Sequence, residues 1–171
     1  MASERPILRI ILENPSDTNL AAIIRTCVGL GIEKIIIIDT IGRFAEIKNL
    51  SKKRKHHINS SSAGVFNEEN IDKYIIVMSS VIETIEFLNK GKYISYVTSP
   101  YNKHKENIKL NMIIIKHEKI AIWFGNESKG ISEEAVANPE CIACIQIPMI
   151  GPIESFNLGV SVALVLYEFI R

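Results

Sequence analysis

No stretch of this chain is apolar for long enough to cross a membrane. The longest, residues 160–167, contains Ser161 and falls well short of the roughly 20 residues a spanning helix needs. The opening MASERPILRIILENP offers only residues 6–12 as an apolar segment, and Arg9 interrupts it, so a signal-peptide core is missing as well. A cytoplasmic location is the expectation. Cysteine is scarce: three residues, an odd number, argue for a reducing compartment rather than a disulfide framework. Cys141 and Cys144 form a C-x-x-C, but no second pair exists to complete a four-ligand zinc site, and a redox pair should open a helix after a strand. They read as packed free thiols, and no metal is expected. Charge of one sign is also lacking; at a net +1, any nucleic-acid-binding surface has to be local.

Familiar nucleotide signatures are missing too. G-x-x-x-x-G-K-[ST] and G-x-S-x-G do not occur, and Gly29-Leu30-Gly31 follows a helical pattern and precedes a strand, the reverse of the dinucleotide fingerprint. There is no internal repeat and no convincing linker.

What is there fits one domain spanning residues 1–171, with 47% hydrophobic and 23% charged residues. Apolar runs at 7–12, 34–39, 73–78, 93–98, 119–125 and 141–147 predict strands. Several are continuous Ile/Val runs typical of strands covered on both faces. Helical patterns lie at 20–28, 81–90, 132–137 and 157–171. The alternation predicts an α/β fold with a mostly parallel sheet. Ser16, Asp17 and Ser132 are suited to cap helices, and Gly29, Gly31 and Gly91 to end them.

Three polar turns stand at predicted strand ends. The first, NPSDTNLAAIIRT (14–26), opens a helix in which Leu20, Ile23, Ile24 and Cys27 form a buried stripe. Arg25, six residues beyond Asn19, is placed to face the same side and to seek an anion; a structural pair with a carboxylate is the plain alternative. The second, IWFGNESKGIS (122–132), holds two glycines and one acid, Glu127; an ordinary strand-to-helix connection would look similar. The third, at 148–157, puts Ser155 and Asn157 beside the N-terminus of the last helix, where capping alone would explain both. Between strands, KNLSKKRK (48–55) carries five cations and no acid, followed by His56 and His57. This is either a phosphate-facing patch or a solvated loop.

Taken in order, NPSDTNLAAIIRTCVGLGI, IAIWFGNESKGIS and IQIPMIGPIESFNLGVSVALVLYE resemble the three motifs of the SpoU/TrmH family of RNA ribose 2′-O-methyltransferases, within the SPOUT superfamily. The match runs over nearly the whole chain. The resemblance implies a SPOUT-type α/β knot, with a mostly parallel sheet flanked by helices and a C-terminal trefoil knot. It also implies S-adenosylmethionine as cofactor and an obligate homodimer. By the same resemblance Arg25 corresponds to the catalytic arginine, Asn19 to the asparagine of the first motif and Glu127 to the glutamate of the second. Ser155 and Asn157 correspond to the polar pair of the third, with roles in both catalysis and cofactor binding. Gly125, Ile147 and Met149 match backbone positions of the cofactor pocket, and Thr98 ends the strand whose loop lines it.

The implied reaction is attack of an RNA ribose 2′-hydroxyl on the cofactor's methyl group. Arg25 would hold the adjacent phosphate and stabilise the developing alkoxide, or act as base with that phosphate's help; a guanidinium with pKa above about 12 favours the former. The expected RNA contacts are Arg25, Lys52, Lys53, Arg54 and Lys55, with no separate RNA-binding extension. The chain is as compact as members acting on the tRNA anticodon loop, whereas GNESKG and GPIESFNLGVSVAL resemble members acting on a tRNA guanosine or ribosomal RNA. tRNA is the expected substrate. Ribosomal RNA, or a non-catalytic RNA-binding protein of the same fold, is the alternative.

Overall fold

Strands that offer an apolar side chain to both faces have to be covered on both faces, and this chain builds the corresponding three layers. The computed structural model describes residues 5–44 and 73–171. In order these hold β1 (Ile7–Glu13), α1 (Asp17–Gly29), β2 (Lys34–Ile38), β3 (Ile75–Met78), α2 (Val81–Lys90) and β4 (Ile94–Thr98). There follow β5 (Asn107–Lys109), a 3₁₀ turn (Leu110–Met112), β6 (Lys119–Phe124), α3 (Glu133–Ala137), β7 (Cys141–Gln146) and α4 (Leu158–Ile170). The strands form one sheet in the order β3-β2-β1-β6-β4-β7-β5, parallel at every junction.

One face of the sheet carries Leu8, Ile10, Leu12, Ile35, Ile37, Ile120, Ile122 and Phe124 against α1 and α4. Leu20, Ile23, Ile24 and Cys27 of α1 meet Val162, Val165, Leu166 and Phe169 of α4 in that layer, all buried. The other face carries Ile11, Ile36, Ile38, Ala121 and Trp123 under α2 and α3, through Leu88, Ala135 and Val136. Each fully buried Ile, Leu or Phe contributes about 1.5–3 kcal/mol relative to exposure, which is why the Ile runs fix the layers. Trp123 meets its one polar need inside the core, its Nε1 donating to Ser95 Oγ at 3.2 Å.

The strands at 7–12, 34–39, 73–78, 93–98, 119–125 and 141–147 are all present, with ends moved by one or two residues. β5 is an addition: three residues with a single apolar member give no run to detect, and they sit at the sheet edge beside β7. Cys141 and Cys144 are buried on the same side of the sheet, in the layer of α2 and α3. A register shift between β4 and β7, where Ser95 pairs Cys141 but Tyr96 pairs Ala143, inserts Ile142 as a bulge and breaks the simple alternation. All three cysteines are free and buried. Burial pushes the Cys27 thiol up to about 12 and, with the neighbouring Cys141, the Cys144 thiol to about 11, so neither is a thiolate at neutral pH.

Candidate cofactor and substrate cleft

Because every junction is parallel, β1, β6, β4 and β7 end at the same edge, and the chain reverses its direction of travel across the sheet between β1 and β4. Open parallel sheets bind ligands at that edge and at such a reversal. A cleft of about 660 Å³ lies there, within the range of small-molecule sites. Its apolar wall includes Phe124, Ile145, Ile147, Met149 and Leu158; its polar wall includes Ser16, Asn19, Asn126, Glu127, Ser155 and Asn157. Thr98 and Gly125 complete the floor.

A chain of hydrogen bonds ties the three polar turns together. Asn157 Nδ2 donates to Asn19 Oδ1 at 2.8 Å, and Asn19 Nδ2 donates to Glu127 Oε1 at 2.8 Å. Ser16 gives the same carboxylate oxygen its hydroxyl at 2.6 Å and its backbone N–H at 3.0 Å. Partial burial opposes the charge on Glu127, yet the bonds from Ser16 and Asn19 outweigh it and hold the carboxyl below its ordinary value. An ionised carboxylate with three donors on one oxygen is a weak proton acceptor and a firm positioning group. At the other end, Asn157 Oδ1 caps α4 by accepting from Gly159 N at 2.9 Å, so one amide both starts the helix and holds Asn19.

Ser16 stands at the N-cap of α1 in extended conformation, but its side chain makes no capping bond. The hydroxyl that the sequence assigned to the helix is spent on Glu127 instead. Thr98 is similarly committed, donating from Oγ1 to Trp123 O at 2.8 Å. It shapes the floor and has no proton left to donate to a ligand.

The turn after β6 is closed by reciprocal bonds, Asn126 N to Gly130 O at 3.0 Å and Gly130 N to Asn126 O at 2.8 Å. Asn126 Oδ1 accepts from Ser128 N, Ser128 Oγ and Lys129 N, while its Nδ2 donates to Asn14 O at 2.8 Å. Gly130 takes φ +74°, a region that favours glycine. Gly125 is needed for space: a Cβ there would lie 2.2 Å from Gly130 C and 2.3 Å from Ile131 N.

Behind this turn Glu13, only 6% exposed, accepts from Ser132 Oγ at 2.8 Å and Ser132 N at 3.1 Å. The Ser132 side chain also caps α3, as expected. Burial, opposed in part by these bonds, pushes the Glu13 carboxyl up to about 7 from 4.5. The folded state therefore holds a proton that the unfolded chain releases. Glu13's contribution to stability is largest below pH 4.5 and is lost as pH rises toward 7. Between pH 5 and 8 the Glu13→Gln variant should gain roughly 2 kcal/mol relative to wild type in urea unfolding, since the amide cannot ionise. A difference that stays constant across that range would contradict the assignment.

Of the residues expected at the site, Asn19, Thr98, Gly125, Glu127, Ile147, Met149, Ser155 and Asn157 all line the cleft. Arg25 does not. It is exposed on α1, and among the described residues no ion pair engages it. Six residues turn a helix by about 600°, leaving Arg25 roughly 120° around the axis from Asn19, so the expected shared face is not formed. Nor, among the described residues, does it pair with a carboxylate, the plain alternative. The basic run at 48–55, with Lys52, Lys53, Arg54 and Lys55, and also His56 and His57, lies outside the described residues. Ser16, Asn126 and Glu13 went unassigned at the site because a polar residue at a strand end reads equally well as a cap or a turn.

Comparison with known proteins adds an independent line. The model of the SpoU rRNA Methylase family matches residues 7–167. A tRNA (guanosine(18)-2′-O)-methyltransferase of Thermus thermophilus is 27% identical over 96% of this chain and 74% of its own length. A solved structure described as giving insights into the 2-OH methylation of C/U34 on tRNA aligns with TM-score 0.65 at 24% identity, over 95% of this chain and 93% of that one. The SpoU methyltransferase AviRb from Streptomyces viridochromogenes, solved with AdoMet, aligns with TM-score 0.72 at 18% identity, over 98% of this chain and 58% of that one. The cleft, its three hydrogen-bonded turns and a family match over nearly the full length lead to one conclusion: this chain belongs to the SpoU rRNA methylase family.

Proposed function

We propose that the chain transfers a methyl group from S-adenosylmethionine to a ribose 2′-hydroxyl of RNA, with tRNA as the substrate class. The observation that carries this reading is the bond chain Asn157–Asn19–Glu127, which joins all three family motifs at one cleft. The names of the relatives support it, since both the Thermus enzyme and the C/U34 structure concern 2′-hydroxyls of tRNA.

The residues present suit the cofactor. An apolar wall of Ile145, Ile147 and Met149 offers a slot for a flat base, and the free edges around Gly125, with Ser155 and Asn157, offer polar contacts for a ribose and an amino-acid end. When bound, S-adenosylmethionine supplies an electrophilic methyl group that needs no metal or acid to activate it. The task left to the protein is orientation and charge. Asn19 and Glu127, fixed by Ser16, define one wall of the cleft. Arg25 is exposed, lies outside the cleft lining and has no ion pair among the described residues; the family resemblance gives it the RNA phosphate next to the target and the developing alkoxide.

The reading includes a trefoil knot and a homodimer. The knot is supported by the strand order, in which β6 lies between β1 and β4 and the chain then returns through β7 to lay α4 on α1; an experimental chain trace that could be pulled straight from its ends would refute it. The dimer is supported by Val160, Leu164 and Tyr167, exposed at helical spacing on α4, which form an apolar stripe that the described residues leave exposed. Light scattering should give twice the 19.2 kDa chain mass.

The function is tested by incubating the protein with labelled S-adenosylmethionine and, separately, unmodified tRNA and ribosomal RNA. Label in tRNA supports the proposal. Label confined to ribosomal RNA overturns the substrate, and tight S-adenosylhomocysteine binding without transfer to either overturns the enzyme.

A further inference from the structure

The loop after β4, SPYNKHK (99–105), starts at the cleft, but its residues from Tyr101 onward take none of the roles above. Ser99 and Pro100 line the cleft, and the next Cα, that of Tyr101, is one peptide, about 3.8 Å, from that of Pro100. Tyr101 is 70% exposed, whereas Tyr93 and Tyr96 nearby in the chain are 7% and 3% exposed. Among the described residues no aromatic ring or cation meets its ring. A tyrosine serving the fold would be packed inward as the other two are.

The backbone beneath the ring is nonetheless firmly held. Ser99 Oγ donates to Tyr101 O at 2.9 Å, and Gln146 Nε2 donates to Pro100 O at 2.6 Å. Asn107 accepts from Asn102 N at 2.9 Å and donates to Asn102 O at 2.7 Å. Lys105 is tied to Cys141 O at 2.6 Å. Lys103 and His104, two and three residues further along the chain, are exposed, and the segment 99–105 contains no acid. A hydrogen-bonded loop that leaves a cleft and displays an exposed aromatic ring and exposed cations is an arrangement on which an unpaired base can stack while its phosphates meet the cations.

Building on the proposed RNA reading, we infer that Tyr101 is a stacking platform for a base flanking the target nucleotide, with Lys103 contacting the backbone. The substrate is then a single-stranded loop. In a duplex both faces of each base are already stacked, so the ring has nothing to accept.

The test is fluorescence anisotropy with a labelled RNA hairpin bearing an unpaired loop and with a fully paired duplex, both in saturating S-adenosylhomocysteine. Wild type should prefer the hairpin. Tyr101→Ala should weaken hairpin binding by on the order of tenfold, and Tyr101→Phe should restore it. S-adenosylhomocysteine affinity by calorimetry and the melting temperature should stay unchanged in both. Lys103→Ala should reduce the salt slope of log K by about 0.7. Unchanged hairpin affinity in Tyr101→Ala, or an equal loss in Tyr101→Phe, overturns the platform while leaving the RNA reading intact. Wild-type protein that binds S-adenosylhomocysteine but neither RNA overturns both.

Discussion

Gly125→Ala should destabilise the fold by about 3 kcal/mol or more and abolish S-adenosylhomocysteine binding. The new Cβ would meet Gly130 C, Ile131 N and Gly130 O at 2.2, 2.3 and 2.4 Å, and all three are backbone atoms that no rotamer change can move. Overpacking against side chains costs about 1–3 kcal/mol; here the whole turn has to shift, so the upper end is the starting point. That turn carries Glu127, whose carboxylate fixes Asn19 and through it Asn157, so displacement reaches all three motifs. Gly130→Ala is the control. Nothing lies within 4 Å of its Cβ, and it bears only the strain of φ +74°, worth about 1–2 kcal/mol. Urea unfolding and titration calorimetry separate the two. Equal penalties at 125 and 130 would show that steric closure at Gly125 is not what shapes the cleft.

Arg25→Ala should lower methyl transfer at least about 100-fold while leaving cofactor binding and stability in place. Arg25 lies outside the cleft lining and is exposed, so its removal empties no packing and breaks no ion pair among the described residues. Exposed substitutions of this kind change stability by less than about 0.5 kcal/mol. Removing one group that stabilises developing negative charge costs about 10²–10³ in rate. Arg25→Lys should recover only part of the loss, because an ammonium cannot grip a phosphate with two parallel bonds. A variant that keeps full rate would remove Arg25 from the mechanism; one that loses S-adenosylhomocysteine affinity would make it a binding residue instead.

The layers of this fold were legible because long Ile runs leave few choices. A strand such as KIIII has to be covered on both sides, and it became a buried parallel strand, whereas the edge strand β3 leaves Val77 exposed. Helix α2 was legible to the residue from its pattern and from Gly91 at its end, and Ser80 fixes its start by accepting from Glu83 N. β5 was not, because a three-residue edge strand is specified by its neighbour rather than by its own pattern. The residues that the family resemblance names in the second and third motifs line the cleft, and their convergence there follows from parallel strands ending at one edge. Ser16 and Glu13 were hidden for a physical reason. Their partners lie 111 and 119 residues away, and only tertiary structure decides whether a serine hydroxyl caps its own helix or serves a distant carboxylate. The face that Arg25 was expected to share with Asn19 was lost by counting turns, because six residues fall a third of a turn short of two.

The account turns on where the methyl group goes. After reaction with S-adenosylmethionine, unmodified tRNA should be digested to nucleosides and analysed by mass spectrometry, which distinguishes methylation on the ribose from methylation on the base. A single 2′-O-methylated nucleoside is expected, absent when the target ribose is replaced by 2′-deoxyribose and reduced at least about 100-fold with Arg25→Ala. A methyl group on a base, or a product that persists on the deoxy substrate, would contradict it.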